Sequence, residues 1–92
     1  NIFYSRGISY ERMNDWNKAE KDLKEAMRLN PDDPYILNYL AYSWLDRNQN
    51  LDRALNLLKK AVELEPNDGY IIDSLGWAFY LTGVIDKSIF YH

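Results

Sequence analysis

Sliding the chain against itself by 34 to 35 residues brings like residues into register along its whole length, and a period of that size overrides any element-by-element reading. Ala26-Met27-Arg28-Leu29-Asn30-Pro31 returns as Ala61-Val62-Glu63-Leu64-Glu65-Pro66, 35 residues on. Gly7, Ala41 and Gly76 stand 34 and 35 residues apart, each followed three positions later by a large ring, Tyr10, Trp44 or Phe79. Ala19, Ala54 and Ser88 follow those small residues by 12, 13 and 12 positions. The middle unit therefore carries one extra residue, which must sit in the segment from Arg47 to Leu51.

Each unit reads as two helices. Leu37, Leu40, Ala41 and Trp44 fall at i, i+3, i+4 and i+7, one face of an α-helix, and Leu51, Ala54, Leu55, Leu58, Ala61 and Val62 repeat that spacing. Asp33-Pro34 and Asp68-Gly69 write the breaks between units. The aspartates are N-cap acceptors, and Pro34 falls in a first turn, where its missing N–H has no partner to lose. Helices are expected at 1–13, 16–30, 34–46, 51–65, 69–82 and 85–92. Glu20 with Lys24 and Lys21 with Glu25 form i, i+4 opposite-charge pairs on exposed faces. Nothing alternates with period two, so no sheet is expected.

With 92 residues the chain holds one small domain, and its balance of 47% hydrophobic and 27% charged residues is that of an ordinary globular one. A net charge of −3 lacks the clustered Lys and Arg that phosphate binding requires, so nucleic acid is an unlike partner. The longest uncharged stretches fall short of the roughly 20 apolar residues that span a bilayer, so no membrane insertion is expected. Without cysteine there is no disulfide, thiol nucleophile or thiolate metal site. The sole histidine is the terminal His92, and no Ser-His-Asp, HExxH, Walker or GxGxxG pattern is present. Asp32-Asp33 and Asn67-Asp68 lack the loop of a calcium site and are read as helix caps. No catalytic residue, metal ligand or cofactor is expected, the chain is not read as an enzyme, and its compartment is not encoded.

A helix-turn-helix of this period and punctuation resembles the tetratricopeptide repeat. The residues that carry the resemblance are Phe3, Gly7, Tyr10, Ala19, Leu23, Ala26 and Pro31 in the first unit. They are Leu37, Leu40, Ala41, Trp44, Ala54, Leu58, Ala61 and Pro66 in the second, and Ile72, Leu75, Gly76, Phe79 and Ser88 in the third. First helices of the type Tyr-Leu-Ala-Tyr-Ser-Trp and Asp-Ser-Leu-Gly-Trp are similar to those of bacterial multi-repeat proteins. The resemblance implies an all-α fold of tandem antiparallel helix-turn-helix hairpins stacked as a right-handed solenoid. It implies one array over 1–92, with repeats at 1–33, 34–68 and a truncated 69–92. Arg6 departs from the pattern at a position usually Leu. The third repeat stops within its second helix, where Ile85, Ile89 and Phe90 would lack a covering helix; a piece of a longer array, or packing of this end on another copy, is the expectation.

Tetratricopeptide arrays hold a partner's extended or helical segment on the concave face lined by first helices. By that resemblance the inward positions are Tyr4, Ser5, Ile8, Glu11 and Arg12, then Tyr35, Asn38, Tyr39, Tyr42 and Leu45, then Tyr70, Asp73, Ser74, Trp77, Tyr80 and Leu81. Tyr and Trp dominate, and such rings offer large contact area with few torsions to freeze. The expected site is Tyr4, Tyr35, Asn38, Tyr39, Tyr42, Tyr70, Asp73, Trp77 and Tyr80, a groove for an uncharged or Pro-containing protein or peptide segment. Packing of the rings between helices is the competing assignment, and Tyr10, Trp16, Trp44 and Phe79 are placed there. A clamp for a C-terminal carboxylate is not expected, because Tyr4, Ser5, Ile8, Tyr39, Tyr70 and Ser74 occupy most of its positions and only Asn38 and Arg12 offer donors. The alternative function is self-assembly into a homo-oligomer through the third repeat.

Overall fold

The computed structural model describes the backbone of residues 1–91 and the side chains as far as Gly83. Five helices follow one another: α1 (Ile2–Arg12), α2 (Trp16–Leu29), α3 (Pro34–Asp46), α4 (Leu51–Leu64) and α5 (Gly69–Tyr91). Among the described residues there is no strand. α1 pairs with α2 and α3 with α4 as hairpins; α3 packs on α2, and α5 packs on α4 and α3. The result is a helical-repeat solenoid measuring 44 × 30 × 19 Å.

Local chemistry sets the breaks where the sequence placed them. Asp33 accepts hydrogen bonds from the N–H groups of Tyr35 and Ile36 at 2.9 and 3.4 Å, with Pro34 in the first turn. Asp68 does the same for Tyr70 and Ile71 at 2.9 and 3.4 Å. Within the hairpins the turns use left-handed asparagines, Asn14 at φ 62° and Asn48 at φ 55°, a region asparagine tolerates better than most residues. The extra residue of the second hairpin has a structural consequence. α2 starts on Asp15, which caps the N–H of Lys18, whereas α4 starts on Asn50, itself left-handed at φ 46° and making no side-chain cap.

The core lies between α2, α3, α4 and α5 in two clusters. Leu23 of α2, Leu40, Ala41, Trp44 and Leu45 of α3, Ala54 and Leu58 of α4 and Ala78 of α5 form one buried cluster, and Leu37, Ala61 and Ile71 form a second. Trp44 is fully buried and donates its indole N–H to Glu20 at 2.6 Å. Gly7 sits where a Cβ would lie 3.0 Å from the Leu23 side chain, so the small residue is what lets α1 and α2 approach.

Several expectations are corrected. The helices expected at 69–82 and 85–92 are one, because α5 continues without a break through Gly83. A lone glycine lowers helix propensity by about 1 kcal/mol and does not by itself stop a helix. Phe79, placed in the packing, is 50% exposed, with Lys59 of α4 5.6 Å from the centre of its ring, and Ile72 is exposed as well. Among the described residues, no atom lies within 4 Å of the position of a Cβ on Gly76. Leu45, mapped to the groove, is core. Lys21 and Glu25 do not pair; Glu25 instead takes Arg28, while Glu20 and Lys24 meet at 3.8 Å. The side chains of Ile85, Ser88, Ile89 and Phe90, and His92, lie outside the described residues.

Candidate binding groove

α1, α3 and α5 contribute to one face, and the residues there follow from helix periodicity. On α3, Asn38, Tyr42 and Asp46 recur at intervals of four, flanked by Tyr39 and Ser43, so they form one stripe. Two adjoining hollows lie along it. The first, about 190 Å³, is walled by Glu11 of α1, by Asn38, Tyr39, Tyr42, Ser43 and Asp46 of α3, and by Tyr70 of α5. The second, about 340 Å³, shares Tyr42 and Tyr70 and adds Asp73, Ser74 and Trp77 of α5. Six of the nine expected site residues, Asn38, Tyr39, Tyr42, Tyr70, Asp73 and Trp77, thus meet along this groove.

The other three stand apart from it. Tyr4 lines a separate cavity with Asn1 and the Leu29–Asp33 connection, and reaches the groove only through the edge of Tyr39, with ring centroids 6.0 Å apart at 89°. Tyr35 is exposed at the start of α3, and Tyr80 extends the aromatic surface beyond the hollows by stacking on Trp77 at 5.5 Å and 16°. Tyr10 and Trp16 are half-buried, under Lys18 and Arg47 respectively. Trp16 also donates to Gln49 at 3.1 Å, tying the start of α2 to the α3–α4 turn.

Exposure differs sharply along the stripe. Tyr42 is 48%, Tyr70 76% and Trp77 44% exposed, while Asn38 is 7% exposed and its Oδ1 accepts no hydrogen bond. The Tyr39 hydroxyl donates to Glu11 at 3.3 Å. Burial, then the neighbouring Glu11 carboxylate, raises the Tyr39 pKa above that of an ordinary phenol, so it stays a protonated donor at neutral pH. Tyr4 is raised by burial and then by Asp33, and Tyr35 by hydrogen bonding to Asp68. Glu11 is also 3.7 Å from Arg47, whose guanidinium lies 4.3 Å over the Trp16 ring. Ser43 and Asp46 were not expected in the site. Extending the stripe to the end of α3 would have found Asp46; the apolar Leu45 was assigned there instead, and it points inward.

A sequence profile described as "Tetratricopeptide repeat" matches residues 4–69, which spans the two hairpins except for the first residues of α1. The chain belongs to the tetratricopeptide repeat family. It is 39% identical over 88 residues to "TPR repeat-containing protein PA4667" of Pseudomonas aeruginosa, an alignment covering 96% of this chain. The chain spans about 15% of the length of that relative. Tetratricopeptide repeats generally mediate protein–protein contacts, and on the α1–α3–α5 face exposed aromatic side chains and hollows coincide. Among the described residues no helix is long and apolar enough to cross a membrane, and no group of acidic or histidine side chains is arranged to hold a metal.

Proposed function

We propose that this tetratricopeptide segment binds a peptide segment of a protein partner along the α1–α3–α5 groove, with Tyr42, Tyr70 and Trp77 as the principal contacts. The observation that carries the reading is the joint exposure of those three rings around two hollows that share Tyr42 and Tyr70. Exposed aromatics clustered at a concavity gain most from being covered, and Tyr and Trp are enriched among residues that dominate binding. A partner's C-terminal carboxylate is a poor fit, because the charged residues on the walls are Glu11, Asp46 and Asp73.

The test is a peptide-binding screen by fluorescence polarisation, with Tyr42→Ala and Trp77→Ala as controls. Binders should lose about 1–3 kcal/mol, roughly 5- to 150-fold in affinity, on either truncation, with the far-UV CD spectrum unchanged. Binders indifferent to both substitutions would place the interaction elsewhere. A second reading, self-assembly through α5, draws support from the exposure of Ile72 and Phe79 on that helix. Mass measured against concentration separates the two.

A further inference from the structure

We infer that the hollow between α1, α3 and α5 is a subsite for a basic side chain of the partner, an arginine above all. The inference rests on the groove reading above and adds to it the chemistry of what enters. The hollow's 190 Å³ is room for roughly six waters at ~30 Å³ each, the space of one long side chain. Its charged walls are the carboxylates of Glu11 and Asp46, and Asp73 lines the adjoining hollow; among the described residues no Lys or Arg lines either one. Carboxylates alone would be a solvated surface. Two further features turn them into a site.

Asn38 is more than nine-tenths buried on the wall of the hollow, and its Oδ1 has no donor. A buried carbonyl oxygen left unpaired is costly, and a ligand N–H that reaches it removes that cost. A half-turn about the last torsion of the carboxamide exchanges the places of its oxygen and its nitrogen. The second feature is the pair of rings, Tyr42 and Tyr70, on the same walls. Their faces attract cations, and a guanidinium stacks on them while its N–H groups reach outward.

Two arginines stand near the hollow, one engaged and one outside its walls. Arg47 is beside Glu11 at 3.7 Å, donates to the Ser43 carbonyl at 3.2 Å and lies over Trp16, so it neutralises part of Glu11 and leaves Asp46 and Asp73 as the free carboxylates. Arg12, next to Glu11 in sequence, is exposed and lines neither hollow. An uncharged segment satisfies the rings, and its backbone N–H can reach Asn38, but it leaves the Asp46 charge uncompensated; a fork of several N–H donors carrying positive charge satisfies all of them. Lysine shares the charge but offers a compact, strongly hydrated head that stacks less well.

The experiment uses acetylated, amidated octapeptide pools of random flanks with a fixed central arginine, lysine, citrulline, glutamine or proline, titrated into the chain. Citrulline keeps the shape of arginine and removes the charge. The arginine pool should bind about tenfold more tightly than the citrulline pool, lose that margin as salt is raised, and shift the Asn38 side-chain amide resonances. Asp46→Asn should erase most of the margin while leaving the fold intact, since a carboxylate at the C-terminal end of α3 opposes the helix dipole. Equal binding of all five pools, still weakened by Tyr42→Ala, would overturn the basic subsite and keep the groove. Absence of binding by every pool would overturn both.

Discussion

Arg6 shows how one residue can depart from a repeat pattern without harming the fold. Its guanidinium makes a two-pronged contact with Asp22, Nε to Oδ2 at 2.7 Å and the terminal nitrogen to Oδ1 at 3.0 Å, and Asp22 is otherwise buried in the α1–α2 seam. The sequence showed Arg where Leu is usual; only the packing revealed its partner 16 positions away. Hydrogen bonding to Arg6 holds the Asp22 carboxyl below its ordinary pKa. A carboxylate depressed in the folded state contributes stability in full above its unfolded value, near 3.9, and loses it as pH falls through the lower folded value. The gap in denaturation midpoint between the native chain and Asp22→Asn should therefore be constant above about pH 5 and close toward pH 2; parallel curves throughout would reject the linkage. Trp44 is the other decisive residue, fully buried and bonded to Glu20. Trp44→Ala should cost about 3–5 kcal/mol, read from the shift of the urea midpoint, a large share of the ~5–14 kcal/mol expected for a chain of this length.

At the scale of the helix, ends were easier to read than continuations. Asp33 and Asp68 cap α3 and α5 as the Asp-Pro and Asp-Gly pairs indicated, because a cap is a local contact between a side chain and N–H groups two and three residues on. Asp33→Ala should cost about 1 kcal/mol in chemical denaturation, with Asp33→Ser restoring most of it; an unchanged midpoint would show that packing alone sets the start of α3. Asn50 makes no cap bond, so the second hairpin holds its turn by backbone geometry instead. The misread element is α5, which runs on as one helix where the sequence suggested two, at 69–82 and 85–92. Whether a glycine ends a helix depends on what the following residues gain by folding back, which local propensity does not contain.

Across the whole molecule the buried cluster joins α2, α3, α4 and α5, so neighbouring hairpins support one another as expected of a repeat array. Among the described residues, α5 also exposes Ile72 and Phe79. With the groove kept for a partner, as proposed, light scattering across a concentration series should return the mass of one chain. A mass that doubles with concentration, and is restored to one chain by Phe79→Glu, would favour self-assembly instead.

The period, the helical class, the breaks at Asp33 and Asp68 and much of the central core, from Leu37 to Ala61, were determined by the sequence alone, because each is written in local spacings that return with the repeat. Tertiary structure decided which residues of the stripe meet across helices. It joined Glu11 to the α3 tyrosines and to Tyr70, drew Leu45 inward and Asp46 outward, turned Phe79 to the surface, and left Asn38 buried without a donor. Those outcomes depend on how far one helix is rotated against the next, and that rotation is set by the packing of side chains distant in the chain.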